Sequence, residues 1–338
     1  MLTRLRFTNF KSWKEADLRL GRVTGLFGTN SSGKTSLIQF LLLLKQTKEA
    51  TDRAISLELN SDYVSLGTYR DVIHGHDEEQ KIELLLGFAR DEPERKLVLI
   101  DPDQKRTAGL ARSRNFELSA SVTSYLRAPR ARSLRYAVGE AAFALSPTKA
   151  DESRFELTHD GIPGFTFRRT QGRPWQLPGP VKTYAFPDQA RTYYQNASFL
   201  SDLEAAFEAE MDRIFYLGPL REYPQRDYLW ARSRPSDVGR RGEKAIDAIL
   251  AATEARERRN LEYKSRTKSF QEMIAYWLHQ MRLIESFKVE EIKEGSNRWQ
   301  ALVRTRPDGP EVLLTDVGFG VSSFQSSRYS TTFRKAPR

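Results

Sequence analysis

The chain has no cysteine among its 338 residues, which excludes disulfides and thiolate zinc sites and suits a reducing compartment. Histidine is scarce, with four in all, so a histidine-rich metal centre has little to draw on. No apolar run approaches the ~18 residues of a membrane span. The longest, Leu37 to Leu44, is interrupted by Gln39. The N-terminal Met1–Phe7 alternates like a strand and lacks the apolar core of a signal peptide. These absences lead us to expect a cytoplasmic protein with no membrane partner. Acid is also in deficit. Against 54 Lys and Arg stand 44 Asp and Glu, giving a formal charge of +10. That favours polyanionic partners, although a nucleotide-binding chain is often basic around its phosphate site alone.

What the sequence does have is Gly28-Thr29-Asn30-Ser31-Ser32-Gly33-Lys34-Thr35, which fits G-x-x-x-x-G-K-S/T, the phosphate-binding loop. Val23-Thr24-Gly25-Leu26-Phe27 before it is short and apolar, as a buried strand would be. Ser36 to Lys45 after it reads as a buried helix. Strand, loop and helix form the context the motif needs. Glycines let the backbone turn its N–H groups onto phosphate oxygens. Lys34 would neutralise the β- and γ-phosphates of ATP, and the Thr35 hydroxyl would hold Mg²⁺. The helix start, with Ser36 in its first turn, adds a favourable dipole.

Elsewhere the pattern is mixed. Leu5, Phe7, Leu18 and Leu20 predict two strands joined through Asn9–Trp13. Residues 79–185 read as mostly β, with candidate strands Lys81–Phe88, Lys96–Ile100, Phe116–Tyr125, Tyr136–Leu145, Arg154–Leu157 and Phe165–Arg168. Polar, Gly- or Pro-containing joints between them suit an antiparallel insertion. Helical spacing returns over Asn196–Phe215, with Phe199, Leu203, Ala206, Phe207, Glu210, Met211 and Ile214 on one face and Glu204, Glu208 and Asp212 outside. A long polar loop over 221–243 carries Arg226, Arg232, Arg234, Arg240 and Arg241. A helix over Ala245–Leu250 follows, then a charged linker, Glu254–Lys268. Next come a helix with a stripe of Phe270, Ile274, Trp277, Leu278, Met281 and Ile284, strands at Ser286–Ile292 and Trp299–Arg304, and a hairpin through Asp308-Gly309 into Val312–Leu314.

Three features leave alternatives open. Lys96–Asp103 resembles a strand whose terminal Asp101 holds Mg²⁺, but no Glu follows it and its neighbours look antiparallel. Arg127, Arg130, Arg132 and Arg135 fall within nine residues with no acid among them. A loop carrying them either grips phosphates or is simply solvated, and aromatics for base stacking are few, Tyr125 and Tyr136. His74 and His76 form either a metal pair or a polar turn.

The opening R-F-T-N-F-K-S-W followed by L-F-G-T-N-S-S-G-K-T-S-L resembles the ATPase heads of the RecF, SMC and OLD class, ABC-type ATPases often called AAA family ATPases. Asn30, Ser32, Gly33, Lys34 and Thr35 match its loop. Leu66–Gly75 resembles a family segment near the nucleotide. Tyr216–Arg221 is similar to the branch with a C-terminal domain of unknown function; Arg221 then faces phosphate or pairs with a core carboxylate. Asp316, Gly318, Gly320 and Ser322 resemble the signature motif that caps ATP bound by the opposite subunit.

The resemblance implies an α/β P-loop fold of ABC/SMC-head type with a large antiparallel insertion. It implies ATP and Mg²⁺ as cofactors, a homodimer closed through ATP, and a nucleic-acid or nuclease partner in DNA maintenance or phage defence. The expected division is 1–55 as the start of the ATPase lobe, 56–195 as the β-rich insertion, 196–322 as the helical and signature region, and 323–338 as an aberrant tail. After Ser322 the resemblance stops. The family's Walker B carboxylates and switch His have no counterpart in Ser323–Arg338, which has no Leu, Ile or Val. We therefore expect a frameshift near Ser322, a sheet left incomplete, weak or no turnover and poor solubility.

Overall fold

Alternating apolar residues at the N-terminus build the first hairpin. In the computed structural model, which describes residues 1–90, 96–102, 109–172, 176–261 and 266–318, β1 (Leu2–Phe10) pairs antiparallel with β2 (Trp13–Arg19), Leu5 opposite Leu18. Leu5, Phe7 and Phe10 all point inward and are buried. α1 (Lys34–Glu49) lays Phe40 on them, its ring stacked on Phe7 at 4.4 Å and edge-on to Phe10 at 4.9 Å. The chain divides into a unit spanning Met1–Ile214 and a second from Phe215 onward.

The first unit continues with a short helix, α2 (Tyr69–Val72), then β3 (Ile82–Ala89), β4 (Leu97–Ile100), β5 (Gly109–Ser113), β6 (Asn115–Tyr125), β7 (Ala128–Val138), β8 (Ala141–Pro147) and β9 (Phe155–Asp160). Seven of these strands form one antiparallel sheet in the order β2-β1-β3-β6-β7-β8-β9. β4 and β5 pair separately, also antiparallel. α3 (Asp188–Tyr193) and α4 (Leu200–Asp212) close the unit. Phe207 on α4 meets Phe88 of β3 edge-on at 6.1 Å, extending the aromatic core that α1 begins.

Unit two holds β10 (Tyr228–Leu229), α5 (Ala245–Glu254), β11 (Arg258–Asn260), β12 (Thr267–Ser269), α6 (Phe270–Gln280), β13 (Ser286–Glu291), β14 (Arg298–Arg304) and β15 (Val312–Leu313). β14 lies between β13 and β10 and also pairs with β15. Ile249 and Leu250 from α5, Phe270, Ile274 and Leu278 from α6, and Phe287 and Val303 from the sheet make its core. The fold class is thus mixed α/β with a large antiparallel sheet.

Several expectations need correction. Val23–Phe27 is not a strand: it belongs to no sheet, and Val23 and Phe27 are 93% and 94% exposed. A buried parallel strand needs neighbours on both edges and cover on both faces, and every pairing among the described residues is antiparallel. Tyr136–Leu145 is two strands, turned at Gly139-Glu140 where Gly139 takes φ +63°. Phe165–Arg168 is irregular; its rings instead pack around Phe143 and Phe199. The basic residues are no loop, since Arg130, Arg132 and Arg135 all sit in β7. Glu204 is buried on α4, accepting from the Phe186 N–H at 2.9 Å and from Arg191 at 2.5 Å. The linker after Glu254 contains the β11–β12 hairpin.

Candidate phosphate-binding site

Gly33 starts the site. It precedes α1 in the left-handed region, φ 84° and ψ 3°, which only glycine adopts without cost. Gly28 (φ 153°) and Ser31 (φ 63°) give the loop two further turns of the same hand. The first backbone N–H groups of a helix have no intrahelical acceptor, so the α1 start presents donors at the loop. Its first turn holds no acidic residue.

A brace lies against Gly33. The Trp13 indole Nε1–H donates to the Gly33 carbonyl at 3.0 Å. A Cβ built on Gly33 would stand 2.6 Å from Ser12 Oγ and 2.7 Å from Trp13 Nε1. The hairpin turn that carries Ser12 and Trp13 is itself tied down. Lys11 N–H donates to the Val72 carbonyl at 2.7 Å, and His74 Nδ1–H donates to the Lys11 carbonyl at 2.9 Å. Lys11 Nζ reaches Gln39 on α1 at 3.1 Å, and burial pushes its pKa down. Three stretches singled out in the sequence therefore converge: the N-F-K-S-W turn, the 66–75 segment and the start of α1. Sequence reasoning missed the Ser12–Trp13 contact with Gly33.

Lys34 Nζ folds back over the loop, donating to the carbonyls of Gly28 at 2.8 Å and Thr29 at 2.5 Å and to Ser32 Oγ at 3.2 Å. Thr29, Asn30, Ser31, Ser32 and Thr35 are exposed, and Ser36 is half-buried. The set comprises an ammonium, free helix N–H groups and several hydroxyls, with no carboxylate. This donor set fits a polyphosphate. For Mg²⁺ it offers the Thr35 hydroxyl, the rest of the shell falling to phosphate oxygens and water.

The other candidates go elsewhere. Asp101 is buried at the end of β4, whose one strand neighbour among the described residues is the antiparallel β5. His76 Nδ1 rests on the Arg70 carbonyl at 2.8 Å, so both imidazoles of the pair serve a polar turn. No cluster of three or more His, Asp or Glu suited to a metal occurs among the described residues. In the second unit, Asp316 takes an ion pair from Arg226 at 3.2 Å, and Gly318 is exposed. Gly320, Ser322 and the 323–338 tail lie outside the described residues. Arg221 has Nε and Nη1 buried without a hydrogen-bond partner, so it does not pair with a core carboxylate. Arg232 and Arg234 both reach Glu254, and Arg241 reaches Glu222 at 3.2 Å.

No family model matches the chain, and no curated protein matches it. A solved structure from work on the structural biochemistry of ATP-driven dimerization and DNA stimulated activation of SMC ATPases is similar over 41% of this chain and 69% of its own, at 16% identity and a TM-score of 0.24. A likeness that loose carries no argument about this chain's function. Among the described residues no helix is long and apolar enough to cross a membrane.

Proposed function

We propose that residues 28–36 bind the triphosphate of ATP together with Mg²⁺, and that the chain is an ATP-binding P-loop head of the RecF/SMC/OLD type. The observation that carries this reading is the position of Lys34. Its ammonium donates to two loop carbonyls at the start of α1, and Gly33 is braced by the Trp13 indole. A polyphosphate would draw that ammonium off the carbonyls and onto its own oxygens, gaining charge-assisted bonds for neutral ones. Gly28, Thr29, Asn30, Ser31, Ser32 and Gly33 would wrap the β- and γ-phosphates, and Ser36 would support the helix start.

The chain as it stands is expected to bind without sustained turnover. Hydrolysis needs a positioned water and groups to stabilise the developing charge, and the loop supplies phosphate donors but no base. Asp101 is a poor substitute, because β4 does not stand as a parallel neighbour to the loop. On this reading nucleotide shifts the conformation of a head that, by its family likeness, pairs with a second copy and serves nucleic-acid or nuclease action.

Titration with a fluorescent ATP analogue and Mg²⁺ tests the proposal. Saturable binding is expected, weakened by roughly two orders of magnitude in Lys34→Ala. Thr35→Ala should lose the Mg²⁺ dependence while retaining metal-free affinity. Binding that is unchanged in Lys34→Ala, or absent in the unaltered chain, refutes it. Steady phosphate release abolished by Lys34→Ala would instead refute the expectation of no turnover.

A further inference from the structure

We propose that the tip of the β6–β7 hairpin is a nucleic-acid contact. It does not depend on the nucleotide reading above. Beyond Val122, the partner of Ile82, β6 has no β3 neighbour, and β7 meets β8 only from Leu134 onward. Thr123–Tyr125 and Ala128–Ser133 therefore extend past the strands on either side. The turn between them, Leu126-Arg127, has φ 50° and 63°. Two-residue hairpin turns of this hand are the province of Asn and Gly, and a branched apolar residue there is strained. Leu126 is nevertheless held out to solvent, 85% exposed, with Tyr125 at 54%. Strained residues cluster at binding surfaces, and here the strain falls on an apolar residue that nothing buries.

The charge carried by the hairpin itself is of one sign. From Leu118 to Gly139 the sequence has four arginines and no acid. Arg130 stacks over the Tyr125 ring at 4.6 Å, on the face opposite the buried Val122 and Ala131. Arg135 is exposed farther along that strand. Arg132 stands at a bulge and is engaged with Glu152 at 2.9 Å. Ser124 donates to Glu78 at 3.1 Å. Arg127, Arg130 and Arg135 have no carboxylate partner among the described residues. On the β1–β2 hairpin of the same sheet Arg4 and Arg6 are compensated, by Asp17 at 2.6 Å and Glu15 at 2.8 Å. Uncompensated guanidinium groups flanking an aromatic ring and a projecting apolar side chain match a phosphate backbone with bases alongside.

Fluorescence anisotropy with a labelled DNA duplex of about 20 base pairs, and with one of its strands, over about 50 to 200 mM salt, reads the contact directly. We expect Arg127→Ala/Arg130→Ala to weaken binding roughly tenfold and to reduce the log–log salt slope by about two, one for each lost phosphate contact. Arg127→Lys/Arg130→Lys should keep the slope and lose less affinity. Lys293→Ala, in the second unit, should bind as the unaltered chain does, and circular dichroism should be the same for all. The arm that binds more tightly identifies the nucleic-acid form. Failure to bind either form, an unchanged slope in the double alanine variant, or equal binding of polyglutamate overturns the proposal.

Discussion

Gly33 carries two constraints at once, and they are of different kinds. Its φ of 84° penalises any side chain, and its Cβ position is already filled by Ser12 Oγ and Trp13 Nε1. Gly33→Ala should therefore cost about 2–3 kcal/mol in stability, part from the left-handed backbone and part from displacing the brace. Nucleotide affinity should fall further than Trp13→Phe makes it fall, because the latter loses one hydrogen bond worth about 1 kcal/mol and keeps the ring. Chemical denaturation alongside nucleotide titration checks the order. The opposite residue-scale effect is expected at the hairpin tip. Replacing Leu126-Arg127 with Asn-Gly relieves two left-handed residues and should stabilise the protein by about 1–2 kcal/mol. If the tip is a contact surface, the same exchange weakens DNA binding, so stability and binding move apart in one variant.

At the level of elements, two carboxylates respond to pH in opposite directions. α6 begins with a capping box: the Ser269 N–H donates to Glu272 at 2.7 Å, and Ser269 Oγ accepts the Glu272 N–H at 3.3 Å. The Ser269 N–H, and after it the Ser269 hydroxyl, hold the Glu272 carboxyl below its ordinary pKa. Its contribution is present above the unfolded pKa of about 4.3 and is lost as pH falls through the depressed folded value. Glu204 is the reverse case. Burial raises its pKa, with Arg191 and the Phe186 N–H opposing. Its contribution is complete below the unfolded pKa and is lost as pH rises through the raised folded value. Ser269→Ala should cost about 1 kcal/mol, and Glu272→Gln should flatten the acid limb of a stability–pH curve. Glu204→Gln keeps an acceptor for Phe186 and should destabilise less than Glu204→Ala, as thermal melts from about pH 2 to 7, on both sides of the ordinary Glu value of about 4.3, will show.

The same elements show what could be read in advance. α1, α6 and the β13–β14 hairpin declare themselves through unbroken spacing of Phe, Leu, Ile and Val, which is local information. Glu204 does not, because its partners come from residues 186 and 191, outside its helix. β7 does not, because the bulge at Arg132 breaks the alternation of Ala131, Leu134, Tyr136 and Val138, and the arginines read as a loop. The 28–35 motif can be written down from the sequence alone, and what the structure adds is the left-handed Gly33 ahead of α1. The brace on Gly33 cannot, since nothing in Ser12 or Trp13 says what they touch. Nor can Val23–Phe27, whose composition says buried, specify the neighbours that would bury it.

At the scale of the whole molecule, that segment leaves Val23 and Phe27 of the first unit open to solvent. The exposed margin of β2 is guarded by charge, with Lys14, Glu15 and Asp17 along it and ion pairs to β1. After Leu20, whose N–H still donates to the Thr3 carbonyl at 2.8 Å, the chain leaves the sheet. From there to the loop it runs without strand partners; the Gly21 N–H donates to Thr24 Oγ1 at 3.1 Å and the Phe27 ring folds against Gly25. An extended apolar stretch with free N–H and C=O groups pairs readily with another copy of itself. Concentration-dependent association is therefore expected in sedimentation velocity, together with binding of a hydrophobic dye. Val23→Lys/Phe27→Lys should reduce both and leave the thermal midpoint nearly unchanged, because neither side chain is buried. If association persists undiminished in that variant, the sticky surface lies elsewhere. If the midpoint instead drops by several degrees, roughly the shift that 1 kcal/mol produces in a domain this size, these side chains are packed in solution and the segment has found a neighbour.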